Sequence, residues 1–168
     1  MLSSKPGQYV GSLLNALPVT SEFIVEAQVR KTGPDAEWFG FEFGASWPGN
    51  YYQFLLDGRG ALRIARHLDR VWTDLLCQEP VRRFQTGEGP TALKVVRNDR
   101  RFQVVVNGLH AATISDFEIR SGRPGLNLGR GLTVEFAGLC IDAVSLEDVF
   151  TKALDYWNRL ETNKRGSC

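Results

Sequence analysis

Glu37-Trp-Phe-Gly-Phe-Glu-Phe-Gly44 and, after a short gap, Asn50-Tyr-Tyr-Gln-Phe-Leu-Leu-Asp57 decide the fold class. In the first stretch Phe39, Phe41 and Phe43 fall on one face, and Trp38, Gly40 and Glu42 on the other. In the second, Tyr52, Phe54 and Leu56 oppose Tyr51, Gln53 and Leu55. A period of two belongs to a β-strand with one buried face, because successive side chains point to opposite sides of the sheet.

The same pattern extends outward. Upstream, Glu22-Phe-Ile-Val-Glu-Ala-Gln-Val-Arg30 reads as a long strand that turns at Gly33-Pro34-Asp35. Downstream, Gly58-Arg59-Gly60 turns into Ala61-Leu-Arg-Ile-Ala-Arg66, and a further strand runs from Val71 to Cys77. A loop spans Gln78 to Pro90. Thr91 to Arg97, Arg101 to Val106 and Leu109 to Ser115 follow as consecutive hairpins. Asn107-Gly108 is the clearest turn, since both residues tolerate the positive φ of a type I′ hairpin. Pro124 to Leu128 and Leu132 to Asp142 complete the β region, and Gly138 marks a bulge. Short strands punctuated this way predict an all-β sandwich or barrel.

The pattern changes at Ser145. Ser145-Leu-Glu-Asp148 is similar to a helix-capping box. Leu146, Val149, Phe150, Ala153, Leu154, Trp157 and Leu160 then recur at spacings of three and four, the stripe of an amphipathic helix. The predicted organisation is a sandwich over 1–144, an appended helix over 145–161 and a flexible tail over 162–168. Phe150, Leu154 and Trp157 are too apolar to face water without loss, so this helix is a candidate partner-binding element.

Length and composition suit one globular domain. The chain has 168 residues, 43% hydrophobic and 23% charged, with a formal charge of +1. That balance gives no drive toward nucleic acid or an anionic membrane, and no apolar run reaches the ~18 residues of a membrane helix. The N-terminus, Met1-Leu2-Ser3-Ser4-Lys5-Pro6-Gly7, has no basic segment followed by an apolar one, which leads to the expectation of a cytoplasmic protein. Cys77, Cys140 and Cys168 show no metal or redox spacing. Cys77 and Cys140 are expected as small buried hydrophobes within strands.

The ordered β pattern resembles the concanavalin A-like lectin/glucanase superfamily, and within it the laminin-G-like jelly-roll modules. The resemblance covers residues 20–144. It rests on Phe23-Ile-Val-Glu-Ala-Gln-Val29, on Gly40-Phe-Glu-Phe43 with Asn50-Tyr-Tyr-Gln-Phe54, on Gly60-Ala-Leu-Arg-Ile64, Leu93-Lys-Val-Val96 and Phe102-Gln-Val-Val-Val-Asn-Gly108, and on Arg123-Pro-Gly-Leu126 with Val134-Glu-Phe136. It implies two antiparallel sheets packed face to face, one with a concave outer surface. Carbohydrate binders, glycosidases and protein-recognition domains share this architecture, so fold alone does not assign function.

Glycosidases of this superfamily often carry Glu-x-Asp-x-x-Glu on one strand, and no such run exists here. The nearest carboxylates are Glu22 with Glu26 and Glu37 with Glu42. His67 and His110 lack a Gly-x-Ser-x-Gly elbow and read as solvent-facing. Gly58/Gly60 and Gly87/Gly89 are turn glycines, not a phosphate loop. Asp57, Asp69, Asp74 and Asn127 are too scattered to specify calcium. No catalytic residue, metal ligand or cofactor is assigned.

The aromatics carry the binding hypothesis. Trp38, Trp47, Tyr51 and Trp72 fall outside the core face, with Glu42, Gln53 and Arg63 at matching parity. Trp38, Glu42, Tyr51, Gln53, Arg63 and Trp72 are therefore the candidate ligand-binding residues. The leading expectation is a non-catalytic, lectin-like recognition module for a protein partner or neighbouring domain. The alternatives are carbohydrate binding on the concave sheet, and glycoside hydrolysis with a non-standard carboxylate pair.

Overall fold

Strand formation follows the side-chain alternation almost residue by residue. The computed structural model describes residues 1–3, 5, 10–13, 20–44, 49–81, 84, 89–98, 100–116 and 118–145. Within them lie β1 (Leu2–Ser3), β2 (Val10–Leu13), β3 (Thr20–Thr32), β4 (Trp38–Gly44), β5 (Tyr51–Asp57) and β6 (Leu62–Leu68). There follow β7 (Val71–Gln78), β8 (Thr91–Asn98), β9 (Arg101–Val106), β10 (Leu109–Ser115), β11 (Arg123–Leu128) and β12 (Thr133–Ser145). They form two six-stranded antiparallel sheets. Sheet I has the order β1-β12-β3-β8-β9-β10 and sheet II the order β2-β11-β4-β5-β6-β7.

The core lies between the sheets. Sheet II contributes Phe39, Phe41, Phe43, Tyr52, Phe54, Leu56, Leu62 and Ile64; sheet I contributes Phe23, Val25, Leu93, Val95, Phe102 and Val104. Aromatic rings join the two layers. Phe23 of β3 stacks on Phe43 of β4 at 4.8 Å, and Phe102 of β9 lies 4.9 Å from Tyr52 and 5.1 Å from Phe54. Arg97 is buried at their edge, with its guanidinium 4.7 Å over Phe43 and 4.9 Å over Phe102. Its Nη2 donates to the Arg120 carbonyl at 2.8 Å. Phe84, from the loop after β7, is fully buried and closes the core from the side.

Turn chemistry sets the register. Asn107 and Gly108 have φ of 52° and 75°, the pair of positive values that a type I′ turn requires. The Asp57 carboxylate is buried and closes the β5–β6 turn. Its Oδ1 accepts from the backbone N–H groups of Arg59 (3.0 Å) and Ala61 (2.8 Å). The β6–β7 turn also has positive φ at both centres, Asp69 (50°) and Arg70 (69°), without a glycine. Asn50 braces it, accepting from the Asp69 N–H at 2.9 Å.

Two expectations need correction. Cys77 and Cys140 lie in strands but are exposed, not buried. Each follows a bulge that inserts one residue and so reverses parity. In β7 the register passes from Ala65↔Asp74 to Ile64↔Leu76, which turns Leu76 toward Ile64 and Cys77 outward. In β12 it passes from Ala137↔Gln28 to Cys140↔Glu26 around Gly138, whose φ of 59° confirms the anticipated bulge. The strand β12 also extends to Ser145, paired with Thr20, beyond the expected end at Asp142. The helix expected over 146–160, with Phe150, Leu154 and Trp157, lies outside the described residues, as does Trp47.

Phe102 meets four core rings, those of Phe23, Phe43, Tyr52 and Phe54, and the Arg97 guanidinium, so Phe102→Ala is expected to lower stability by ~3–5 kcal/mol. Its outward-facing neighbour should tolerate change, and Gln103→Ala is expected to stay within ~0.5 kcal/mol. Urea unfolding followed by circular dichroism checks the contrast; equal losses in the two variants would contradict the layer assignment.

Candidate functional site

Burying Phe39, Phe41 and Phe43 obliges the alternate residues of β4 onto the outer face of sheet II, and the paired strands follow. The register aligns three cross-strand rows on that face. One runs Gly44–Tyr51–His67–Trp72. The next runs Gly125–Glu42–Gln53–Ala65–Asp74, and the third Asn127–Gly40–Leu55–Arg63–Cys77. Small residues in the rows leave a depression, and large ones wall it. The result is a hollow of about 330 Å³ lined by Trp38, Tyr51, Gln53, Leu55, Arg63, Trp72 and Asn127.

Gly40 lies in the third row, between Asn127 and Leu55. A Cβ there would lie 2.0 Å from the Phe54 carbonyl oxygen, so β4 and β5 approach as closely as they do only because the side chain is missing. Trp38 stands at one end, half-buried. Its carbonyl accepts from the Gly129 N–H at 2.6 Å, which ties the start of β4 to the end of β11. Glu37, beside it, accepts from the Arg130 N–H at 3.1 Å.

The opposite wall is an aromatic group. Tyr51 is buried, and its ring lies 5.1 Å from His67 and 5.7 Å from Trp72 in an edge-on arrangement. His67 sits 4.9 Å from Trp72, and its Nδ1 contacts the Gly49 carbonyl at 2.7 Å. That contact fixes the imidazole plane and with it the pose of the indole. Trp72 remains 49% exposed, which leaves part of its ring open to a ligand.

Polar groups converge between these walls. Gln53 is buried in the middle strand. Glu42 is 1% exposed, and its Oε2 accepts from Asn127 Nδ2 at 3.2 Å. Arg63 Nε donates to Asp74 Oδ1 at 2.7 Å. The β6–β7 turn sets this last pair, since its register runs unbroken from Leu68↔Val71 to Ala65↔Asp74 and leaves Asp74 on the outer face, diagonal to Arg63. Both partners are well exposed, and pairs of this kind add at most ~1 kcal/mol to stability. The pair therefore acts mainly on the position and charge of the guanidinium.

Trp38, Tyr51, Gln53, Arg63 and Trp72, five of the residues singled out from the sequence, thus line one hollow, and Glu42 lies just behind it. Leu55 joins them, on the face that its parity with Tyr51 and Gln53 gives it. Asn127, Asp74 and His67 belong to the same face and were not anticipated there. Asn127 and Asp74 had drawn notice only as scattered oxygen donors. His67 corrects the expectation of a solvent-facing residue, because the Tyr51 and Trp72 rings flank it; His110 is exposed on β10. The parity of Asn127 opposite Gly40 was the available signal.

Among the described residues, the two carboxylates on the row that borders the hollow, Glu42 and Asp74, are not spaced as a hydrolytic pair. Glu26 is ion-paired with Lys94 at 2.9 Å on sheet I, and Glu22 lies on the same strand. Glu42 and Asp74 share a row but stand three strand spacings apart, roughly 14 Å between backbones. Glycoside hydrolysis needs carboxyl groups ~5–5.5 Å apart for retention or ~6.5–9.5 Å for inversion.

No protein-family profile matches the chain, and no curated protein does. Solved structures do match in fold. Carbohydrate-binding module CBM66 from Bacillus subtilis superposes with a TM-score of 0.67 at 14% identity, over 83% of this chain and 84% of that one. Sheep galectin-11, solved with glycerol, has a TM-score of 0.57 at 15% identity, over 82% and 98% of the two chains. The CBM40 module of the Ruminococcus gnavus IT-sialidase, bound to α2,3-sialyllactose, has a TM-score of 0.52 at 13% identity, over 87% and 92%. At 13–15% identity this likeness is one of fold, shared across most of each chain.

Burial, and secondarily the charge of Glu42, push the Tyr51 phenol up to about 12 from its ordinary value of 10.0. The folded state thus retains a proton that the unfolded state gives up. Its contribution to stability is full below pH 10 and is lost as pH rises through about 12. An alkaline titration of phenolate absorbance, taken as the difference between wild type and Tyr51→Phe, is expected to show Tyr51 ionising well above pH 10, with Glu42→Gln moving the midpoint down. Ionisation of Tyr51 at its ordinary value in folded protein would contradict its burial.

Proposed function

We propose that this chain is a non-catalytic, lectin-like module of the concanavalin A-like type whose ligand is a carbohydrate, bound in the hollow on the outer face of sheet II. One observation carries the reading. Trp38, Tyr51 and Trp72 wall a space in which Gln53, Asn127, Arg63 and Asp74 offer both donors and acceptors. A pyranose has the complementary make-up, with apolar C–H faces for an aromatic ring and hydroxyls that both donate and accept around its edge. At about 330 Å³ the hollow lies at the small end of ligand sites, which run ~300–1,000 Å³, and suits a short saccharide or the end of a chain.

The neighbours lend support from their descriptions: one is a carbohydrate-binding module, and another was solved with an oligosaccharide. The expectation of a protein partner drew on the stripe that includes Phe150, Leu154 and Trp157, outside the described residues, so the hollow shifts the preferred ligand from protein to sugar. With Glu42 and Asp74 held far apart in their row, the chemistry of the face is recognition.

A glycan array followed by calorimetry tests the proposal. Saturable binding of at least one saccharide is expected. Trp72→Ala and Gln53→Ala are each expected to weaken it at least about tenfold, ~1.4 kcal/mol, while thermal unfolding of Trp72→Ala stays close to wild type because Trp72 is a half-exposed residue. Absence of binding across the array, or binding indifferent to both substitutions, would overturn the assignment.

A further inference from the structure

Among the described residues that line the hollow, Arg63 is the one that carries a charge. An unpartnered guanidinium beside stacked aromatics would favour an anionic ligand, because its planar fork suits carboxylates. Here Nε is already held by the Asp74 carboxylate at 2.7 Å. Behind the hollow, Glu42 adds no positive charge in either protonation state, and its Oε2 takes its hydrogen bond from Asn127. On the buried side of the same strand, Arg66 is committed to Asp116 at 2.6 Å. With Asp74 and Glu42 counted beside the described lining, the local charge is neutral or negative.

An anionic ligand therefore meets two penalties. To pair with Arg63 it must displace Asp74 or approach it as a like charge, and like-charge contact at a binding surface is strongly unfavourable. An uncharged polyol meets neither. Adjacent hydroxyls can accept from the guanidinium Nη groups and donate to Asp74 together, leaving the ion pair intact. A half-exposed pair that contributes little to the fold, set by the register of the β6–β7 hairpin, is well placed for this task.

We infer that the hollow selects uncharged saccharides over acidic ones, and that Asp74 is the specificity-determining residue, because it masks Arg63. This rests on the carbohydrate reading proposed above. The inference adds which sugars are admitted and which residue excludes the rest.

The test uses matched probes on the full chain. Methyl glycosides of glucose, galactose and mannose are titrated beside methyl glucuronide, methyl galacturonide and sialic acid. Wild type is expected to bind at least one uncharged glycoside, with its acidic counterparts weaker by at least about tenfold. Asp74→Asn keeps the side-chain shape and removes the charge. It should close or reverse that gap, with the gained acidic binding weakening as salt is raised. Asp74→Asn combined with Arg63→Gln should abolish the gain, which separates unmasking of Arg63 from a general loosening of the site. A melting curve for each variant shows that the comparison is between folded proteins.

A wild type that prefers the acidic probes, or an Asp74→Asn ratio identical to wild type, overturns the inference while leaving carbohydrate recognition standing. Failure of both probe sets and the glycan array to bind wild type overturns the carbohydrate reading itself, and this inference with it.

Discussion

The strict alternation of β4 and β5 governs this molecule. Phe39, Phe41 and Phe43 in one strand and Tyr52, Phe54 and Leu56 in the next all face sheet I and are almost wholly removed from water. No shift of register by one residue is tolerable, because it would carry all six side chains to the outer face. The parity that buries these rings also presents Trp38, Gln53 and Tyr51 on the opposite side. Core and candidate site are two consequences of one pattern, and the site needs no separate folding signal.

The strands around that pair translate register into chemistry. Asp57 locks the β5–β6 turn through the N–H groups of Arg59 and Ala61, and so places Arg63 opposite Leu55. The β6–β7 turn then brings Asp74 to the outer face beside Arg63. Gly40 permits the close approach of β4 to the Phe54 carbonyl in the row that holds Asn127, Leu55 and Arg63. Each device is small, local and ordinary in β-sheets. Together they produce a hollow with aromatic walls and mixed hydrogen-bonding capacity on the outer face of sheet II, on the far side of the sheet from the core.

Much of this was legible in the sequence, and the exceptions have a common cause. Period-two patterning located β4 to β10 to within about two residues at each end, and Asn107-Gly108 announced its turn. The six candidate residues followed from parity alone, and the structure lines the hollow with five of them and places Glu42 just behind. What parity could not supply was the position of an inserted residue. The bulge in β7 carries no glycine or proline to announce it, so the exposure of Cys77 lay beyond parity, and the pairing of Asp74 with Arg63 depended on which residues the β6–β7 turn sets opposite each other. Gly138 did announce the bulge in β12, yet its effect on Cys140 depended on the pairing with β3. Asn127 was missed because its importance lies in the strand beside it: only pairing with β4 places it next to Glu42. His67 was misread because the rings that flank it, Tyr51 and Trp72, come from two other strands.

The account stands on the claim that the aromatic residues of sheet II meet a saccharide directly. Isotope-labelled protein offers the most direct check, through the indole N–H signals of its 4 tryptophans during titration with a saccharide selected from the array. The account predicts saturable shifts at Trp38 and Trp72, with Trp157 unmoved. Saturable shifts confined to Trp157 or to the amides of sheet I, with Trp38 and Trp72 silent, would contradict it.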